Sequence, residues 1–93
     1  MSIKQLQYVI ALYRERHFGR AAAACNVTQS TLSLQLSKLE DFLDARLFMR
    51  DSRNIEPTPV ALAILPMIET IVNSYAQIRT TAKQSAAGID PRA

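Results

Sequence analysis

The chain has 93 residues, a net charge of +3 and a pI near 9.4, a length that allows one domain with at most one protruding element. Its single cysteine and single histidine exclude an internal disulfide and offer neither a metal cluster nor a nucleophile with a base, so we expect no cofactor and no enzymatic activity. No apolar run approaches the roughly 20 residues that a membrane span requires, and no signal peptide opens the chain, so we expect a cytoplasmic protein that binds no membrane.

The first predicted element is a helix over residues 3–16. Ser2 and Gln5 have the spacing of a capping box, in which each side chain bonds the backbone amide of the other residue. An apolar face at helical spacing indicates that this helix packs on a core. The face consists of Leu6, Val9, Ile10 and Tyr13.

A short second helix is predicted at residues 20–24, where four consecutive alanines combine high helix propensity with little bulk. Such a helix lets another helix cross closely. We interpret His17 as a capping or packing residue and Phe18 as a core residue. The chain then turns at Asn26, which tolerates a left-handed conformation, and Cys25 is interpreted as a buried core thiol.

A third helix is predicted from a Thr28 N-cap to Leu43. Its apolar stripe, at spacings of four, three and four, is Leu32, Leu36, Leu39 and Leu43. The opposite face and its flanks carry mostly small polar side chains: Ser30, Thr31, Ser33, Leu34, Ser37, Lys38 and Asp41. Hydroxyls near a helix N-terminus suit close approach to bases and phosphates in a DNA major groove. Taken with the preceding helix and turn, this pattern predicts a helix-turn-helix, although a solvated serine-rich face would look the same.

Two short strands are predicted after the third helix, at residues 47–50 and 55–57, joined by turn-forming residues. They form a small wing that places Arg50 and Arg53 at its tip. Arginines on a wing beside a helix-turn-helix can enter a minor groove or hold a phosphate.

A long helix is predicted from Thr58 to about Ser85, because a threonine N-cap followed by proline is a strong helix start. Pro66 within it should produce a kink. One apolar stripe along this helix contains Ile64, Ile68, Ile71, Tyr75, Ile78 and Ala82, and an overlapping one contains Ala61, Leu65, Ile68, Val72 and Tyr75. We expect one stripe to cover the chain's own domain and the other to pair with a second subunit. Residues 88–93 are predicted to be a disordered tail or linker.

These residues resemble the DNA-binding domain of LysR-type bacterial transcriptional regulators. The resemblance extends from Leu6 to about Ala61 and depends on short runs of residues: Phe18-Gly19-Arg20-Ala21-Ala22, Val27-Thr28-Gln29, Leu32-Ser33, Gln35, Lys38-Leu39-Glu40, Leu47-Phe48-Met49-Arg50 and Thr58. It implies a mainly α fold, with a winged helix-turn-helix domain at residues 1–57 and a dimerisation helix at residues 58–87 that pairs antiparallel. It also implies an effector-binding C-terminal domain outside these 93 residues, and for a full-length protein a dimer or tetramer.

Within the family, the chain looks closest to the peroxide-sensing branch, whose redox cysteines lie in the effector domain; Cys25 is not one of them. Residue by residue, the resemblance implies DNA contacts from Thr28, Gln29, Ser30, Thr31 and Ser33 and from the wing arginine, Arg53. Two residues, Asp44 and Ala61, stand where the family usually has glycine. The pair Ser30-Thr31 replaces a common Pro-Pro or Pro-Ala pair. Leu34 replaces a frequent arginine, which favours contact with a thymine methyl over a polar base contact.

Our principal hypothesis is therefore sequence-specific binding of double-stranded DNA by a homodimer at a dyad-symmetric site. The alternative hypothesis is a winged-helix protein-interaction or dimerisation module without DNA readout, since one fold supports both. Asp41 would repel phosphate, so we expect only the N-terminal half of the third helix to enter the groove. The candidate DNA-binding residues are Arg20, Thr28, Gln29, Ser30, Thr31, Ser33, Leu34, Lys38, Arg50 and Arg53.

Overall fold

The computed structural model describes residues 1–50 and 54–88, which form four helices and a two-stranded sheet. In chain order the elements are α1 (Ile3–Glu15), α2 (Phe18–Ala24), α3 (Gln29–Leu43), β1 (Phe48–Arg50), β2 (Ile55–Pro57) and α4 (Pro59–Gly88). The predicted fold, a mainly helical winged helix-turn-helix with a long C-terminal helix, is confirmed. The predictions for Arg53 and for residues 89–93 lie outside the described residues.

The helix starts follow from their caps. The Ser2 and Gln5 side chains form the predicted capping box, with bonds of 3.2 and 3.0 Å between side chain and amide. α2 begins two residues before its predicted start, because the His17 imidazole Nδ1 accepts the Arg20 amide at 3.0 Å and caps the helix. Asn26 adopts the expected left-handed conformation, with φ 57°.

The core lies where α1 and α2 meet the buried stripe of α3, and α4 joins it by packing against α1. Leu32, Leu36 and Leu39 are almost fully buried, as predicted from their spacing, whereas Leu43 is only partly buried. Ala21 and Ala22 are also buried and bring α2 close to its neighbours. The hydroxyl-bearing face of α3 is thereby turned away from the domain.

The C-terminus of α3 ends in a left-handed cap at Asp44, with φ 52°. The amides of Asp44 and Ala45 both return to the last turn, where Ala45 donates to the Glu40 carbonyl at 3.1 Å. This geometry normally selects glycine, because a Cβ is strained there. The departure from the family's glycine at this position therefore costs conformational energy.

α4 packs on its own domain only along its first part. Thr58 caps it by accepting the Ala61 amide at 3.2 Å, and Ala61, Leu65 and Ile68 are buried. Residues 73–87 are exposed throughout, so the molecule measures 61 Å along its long axis against 25 and 19 Å across. The helix continues through Pro66 to Gly88, three residues beyond its expected end, and a kink at the proline stays a prediction.

By length and composition alone, α4 is apolar enough over residues 59–87 to cross a membrane. No apolar run of that length was expected from the sequence, and the apolar run that opens α4 does end at Glu69. The helix meets the criterion on mean hydropathy, because the serines, threonines and asparagine that follow are only weakly polar. One such helix is weak support for a membrane span, since the core helix of a soluble protein passes the same criterion.

Candidate nucleic-acid interface

The N-terminus of α3 is organised by Thr28 and Thr31. The Thr28 hydroxyl oxygen accepts the Thr31 amide at 3.1 Å, which confirms the predicted cap. The same hydroxyl donates its hydrogen to Thr31 Oγ1 at 2.9 Å. The Thr31 hydroxyl hydrogen is then left to donate outward, as a phosphate oxygen or a base acceptor would require.

Most of the candidate side chains on α3 form one exposed surface, which we call the recognition face. It consists of Thr28, Gln29, Ser30, Thr31 and Leu34, all exposed. Ser33 is partly buried at its edge. Leu34 keeps 55% of its surface exposed and is the apolar member of this face. Lys38 is exposed one turn further along the helix, with Asp41 beyond it.

The start of α2 adjoins this face. A Cβ added to Gly19 would lie 2.9 Å from His17 Cε1 and 3.7 Å from Gln29 Oε1. Glycine therefore leaves room for the imidazole that caps α2 and places the α2 backbone beside the Gln29 side chain. Arg20, a further candidate, donates from its guanidinium to the Glu15 carbonyl at 3.0 Å and lies 3.5 Å from that residue's carboxylate.

Glu40 joins α3 to the wing, a role that the sequence pattern did not reveal. Glu40 is only 7% exposed, and its carboxylate accepts a hydrogen bond from the Leu47 amide at 2.7 Å. Arg46 Nε lies 3.8 Å from one carboxylate oxygen and an Arg50 guanidinium nitrogen lies 3.9 Å from the other. A buried carboxylate needs such partners, because its desolvation is costly.

Arg50 is not free at the wing tip, where the sequence pattern places it. Its guanidinium carbon lies 4.8 Å from the centre of the Phe18 ring, in addition to its contact with Glu40. Arg50 pairs with Ile55 at the end of the ladder, and the contacts with Phe18 and Glu40 hold its side chain against α2 and α3. Phe18 itself is half-buried: it packs against the core and offers the face of its ring to Arg50.

The second strand of the wing is tied to the end of α1. The Arg16 guanidinium donates to the Glu56 carboxylate at 3.0 Å and to the Tyr13 carbonyl at 2.8 Å. It also covers the Tyr13 ring at 5.0 Å. The predicted two-stranded antiparallel wing is confirmed. Both of its strands are attached to the helical domain by these contacts.

The structure separates the two overlapping stripes of α4. Ile68, predicted in both, is 4% exposed and belongs to the core of its own domain, so it is not available to a partner. The exposed members of the predicted interface are Ile71, Tyr75, Ile78 and Ala82, with Ile64 partly buried. Val60 and Met67 are exposed as well.

Val60 lies one turn before Ile64 and Met67 lies between Ile64 and Ile71, so both belong to the same exposed side of α4. With Ile64, Ile71 and Ile78 they follow spacings of four, three, four and seven, as a helix seam does. We call these five residues, Val60, Ile64, Met67, Ile71 and Ile78, the free stripe. A step of four backward from Ile64 would have identified Val60, and a step of three forward from Ile64, in place of the step of four to Ile68, would have identified Met67.

Cys25 ends α2 and packs partly against the core. Burial raises the pKa of its thiol above the ordinary value, which keeps it protonated and poorly nucleophilic at neutral pH. Within residues 1–50 and 54–88, no group of three or more histidine, cysteine or acidic residues is arranged to hold a metal ion.

The short α2, the turn at Asn26, the exposed α3 and the attached wing define a winged helix-turn-helix domain. The chain belongs to the lysR family of bacterial regulatory helix-turn-helix proteins, whose family model matches residues 3–62. It is 39% identical over 84 residues to a hydrogen peroxide-inducible genes activator of Pectobacterium carotovorum subsp. carotovorum. That alignment covers 90% of this chain and 28% of the relative, so the chain spans less than a third of the relative's length.

Two solved structures carry the same fold. A full-length OxyR variant from Pseudomonas aeruginosa superposes with a TM-score of 0.86 at 37% identity, covering 90% of this chain and 28% of that one. The BenM DNA-binding domain in complex with benA site 1 DNA superposes with a TM-score of 0.87 at 28% identity, covering 96% of this chain and 100% of that one. The expected similarity to the peroxide-sensing branch is confirmed by the relatives it matches.

Proposed function

We propose that the chain is the DNA-binding domain of a LysR-type transcriptional regulator and binds double-stranded DNA sequence-specifically as a homodimer. In this proposal residues 1–57 bind DNA and residues 58–87 form the dimerisation helix. The protein acts in the cytoplasm at the nucleoid and catalyses no reaction. The observation that carries the proposal is the recognition face: a capped helix end whose exposed side chains are hydroxyls, one amide and one isolated leucine.

The docking geometry follows from the charges along α3. The N-terminus of a helix attracts phosphate through its free amides and dipole, and Thr31 offers a free hydroxyl hydrogen there. Gln29 has the paired donor and acceptor that read adenine in a major groove. Asp41 and Asp44 at the other end repel phosphate, so the helix enters the groove by its first turns. Lys38 follows these turns along the helix and reaches the DNA backbone from there.

The comparisons supply independent support. The BenM domain, solved with DNA, shares this fold over nearly the whole chain, and so does the CbnR DNA-binding domain in its DNA complex, with a TM-score of 0.85 at 28% identity. The homodimer is supported by the free stripe, because an apolar stripe of this length is rarely left in water by a soluble monomer.

Selection of bound fragments from a random DNA pool tests the proposal. We expect enrichment of a site with dyad symmetry, because a twofold dimer presents two identical recognition faces. Enrichment of a site without symmetry would remove the dimer from the proposal. Binding that never rises above that of random DNA would favour a protein-interaction module in place of a sequence-specific regulator.

A further inference from the structure

The wing depends on anchors outside itself. Each of its strands has three residues, and an isolated two-stranded hairpin is at best marginally stable in water. In the Arg16–Glu56 ion pair the carboxylate is 63% exposed, and exposed pairs contribute little. The Arg50 and Arg16 side chains are similarly exposed, at 35% and 38%, but the Glu40 side chain that faces Arg50 is only 8% exposed. The contacts of Arg50 are of a different kind, because they join the wing to both helices of the helix-turn-helix.

One guanidinium makes these two contacts together. Phe18, at the start of α2, offers the face of its ring at 4.8 Å, within the range of a cation–π interaction. Glu40, in α3, offers a carboxylate oxygen at 3.9 Å. Arg50 closes the end of the strand ladder opposite Ile55. Its side chain thus fixes the end of β1 against the motif that carries the recognition face.

We propose that Arg50 is a positioning residue, which holds the wing at a fixed place beside α3 and does not itself bind DNA; this inference rests on the proposed DNA binding. A guanidinium stacked on a ring and paired with a buried carboxylate has given up the freedom to reach a phosphate. Arginine is required for this role, because lysine has no planar group to stack on Phe18 while pairing with Glu40.

Amide hydrogen exchange without DNA gives the first test. In Arg50→Lys we expect the amides of β1 and β2 to exchange roughly three- to tenfold faster, while those of α1 and α3 keep their wild-type rates, since only the wing opens locally. Arg46→Lys is the matched control: Arg46 also approaches Glu40, at 3.8 Å, but its side chain is 64% exposed. Unchanged exchange in the wing of Arg50→Lys overturns the proposal whatever the chain binds.

DNA binding over a range of salt concentrations gives the second test. We expect Arg50→Lys and Arg50→Gln to lose affinity alike and to share the same slope of log affinity against log salt, although Arg50→Lys keeps the positive charge. Lys38→Ala is the control, because loss of one phosphate contact lowers that slope by about one unit. Full affinity in Arg50→Lys, with a reduced slope in Arg50→Gln, identifies a phosphate contact and overturns the proposal.

Hydroxyl-radical footprinting separates positioning from general destabilisation. Displacement of the wing should remove protection at the flanks of the site while the centres of the half-sites stay protected. Uniform loss of protection in Arg50→Lys, together with a lower melting temperature, would show a merely structural role and overturn the proposal. Absence of any footprint with the wild-type chain would refute the proposed DNA binding itself, and the exchange experiment would still decide the role of Arg50 in the wing.

Discussion

Leu34 is the apolar member of an otherwise polar recognition face. It stands where LysR-type regulators often have arginine, and more than half of its surface is exposed. An exposed leucine beside hydroxyl groups suits the C5-methyl group of thymine, the one apolar feature of the major groove edge. We expect replacement of one thymine of the selected site by uracil to weaken binding by about 0.8 kcal/mol, the value of one buried methylene-sized group.

The dependence on that methyl should disappear in Leu34→Ala, which should bind the thymine and uracil sites equally. Ser30→Ala, a change on the same exposed face, should keep the wild-type preference for thymine. Fluorescence anisotropy with the two duplexes measures both quantities. Equal binding of the two duplexes by the wild-type chain, at every thymine tested, would exclude the methyl contact.

Gln29 and Lys38 should respond differently to truncation, because a base contact specifies and a phosphate contact positions. Gln29→Ala is expected to relax the preference at one base position and to cost about 1–3 kcal/mol on the preferred site. Lys38→Ala should weaken specific and random DNA alike. Competition binding with both kinds of DNA measures the ratio; an unchanged ratio in Gln29→Ala would contradict the assignment.

At the scale of elements, the end of α3 contains a residue under conformational strain. Asp44 holds φ 52°, where a residue with a Cβ is disfavoured by about 1–2 kcal/mol. Asp44→Gly should therefore raise the free energy of unfolding, by about 1 kcal/mol at most once the greater freedom of glycine in the unfolded chain is included. Chemical denaturation measures the change. Ala45→Gly, at a residue without positive φ, should lower stability; a lower stability in Asp44→Gly would show that its side chain contributes more than its strain costs.

The wing is expected to contribute a DNA contact through Arg53, a sequence-based expectation. An arginine beside a helix-turn-helix can enter the narrow minor groove that flanks a half-site. Arg53→Ala should lower DNA affinity and leave the melting temperature unchanged, in contrast to Arg50→Lys, which should loosen the wing. Isothermal titration and thermal denaturation measure the pair, and wild-type affinity in Arg53→Ala at physiological salt would remove this residue from the interface.

Sequence pattern alone predicted most elements of this fold, and the predictions that succeeded depend on interactions between residues close together in the chain. Three helix starts could be predicted from their N-cap residues, Ser2, Thr28 and Thr58, because capping is a local interaction. The pattern places the start of α2 at the run of alanines, two residues late, although it also indicates His17 as a capping or packing residue. Histidine is an uncommon N-cap, and the pattern alone does not choose between these two roles. The anchoring of Arg50 could not be read from sequence, since Phe18 and Glu40 approach it only through the tertiary fold. Ile68 fits both stripes by spacing, and only the path of α4 across the domain decides which one it joins.

At the scale of the whole molecule, the free stripe on α4 predicts how two chains associate. Pairing two such helices removes apolar surface from water, at about 25 cal/mol per Å² before the costs of association. Ile71→Glu combined with Ile78→Glu should give a folded monomer with much weaker specific DNA binding, because pairing would then bury two carboxylates of each chain in an apolar seam. Sedimentation at tens of micromolar measures the state of association.

Asn73→Glu combined with Thr80→Glu is the matched control. These two residues have the same spacing, are exposed and lie on the side of α4 away from the free stripe, so the double variant should remain a dimer. A wild-type chain that sediments as a monomer, or an Ile71/Ile78 variant that stays dimeric, would show that the free stripe is not the interface.

In the proposed dimer, the part of α4 that extends beyond its own domain also sets the distance between the two recognition faces. A seam with seven-residue periodicity can be matched in steps of one heptad, about 10.5 Å along a helix. One such slip changes the separation of the two recognition faces by nearly a third of the roughly 34 Å turn of duplex DNA. The second face would then meet a different side of the double helix, so a pair assembled out of register could hold only one half-site at a time.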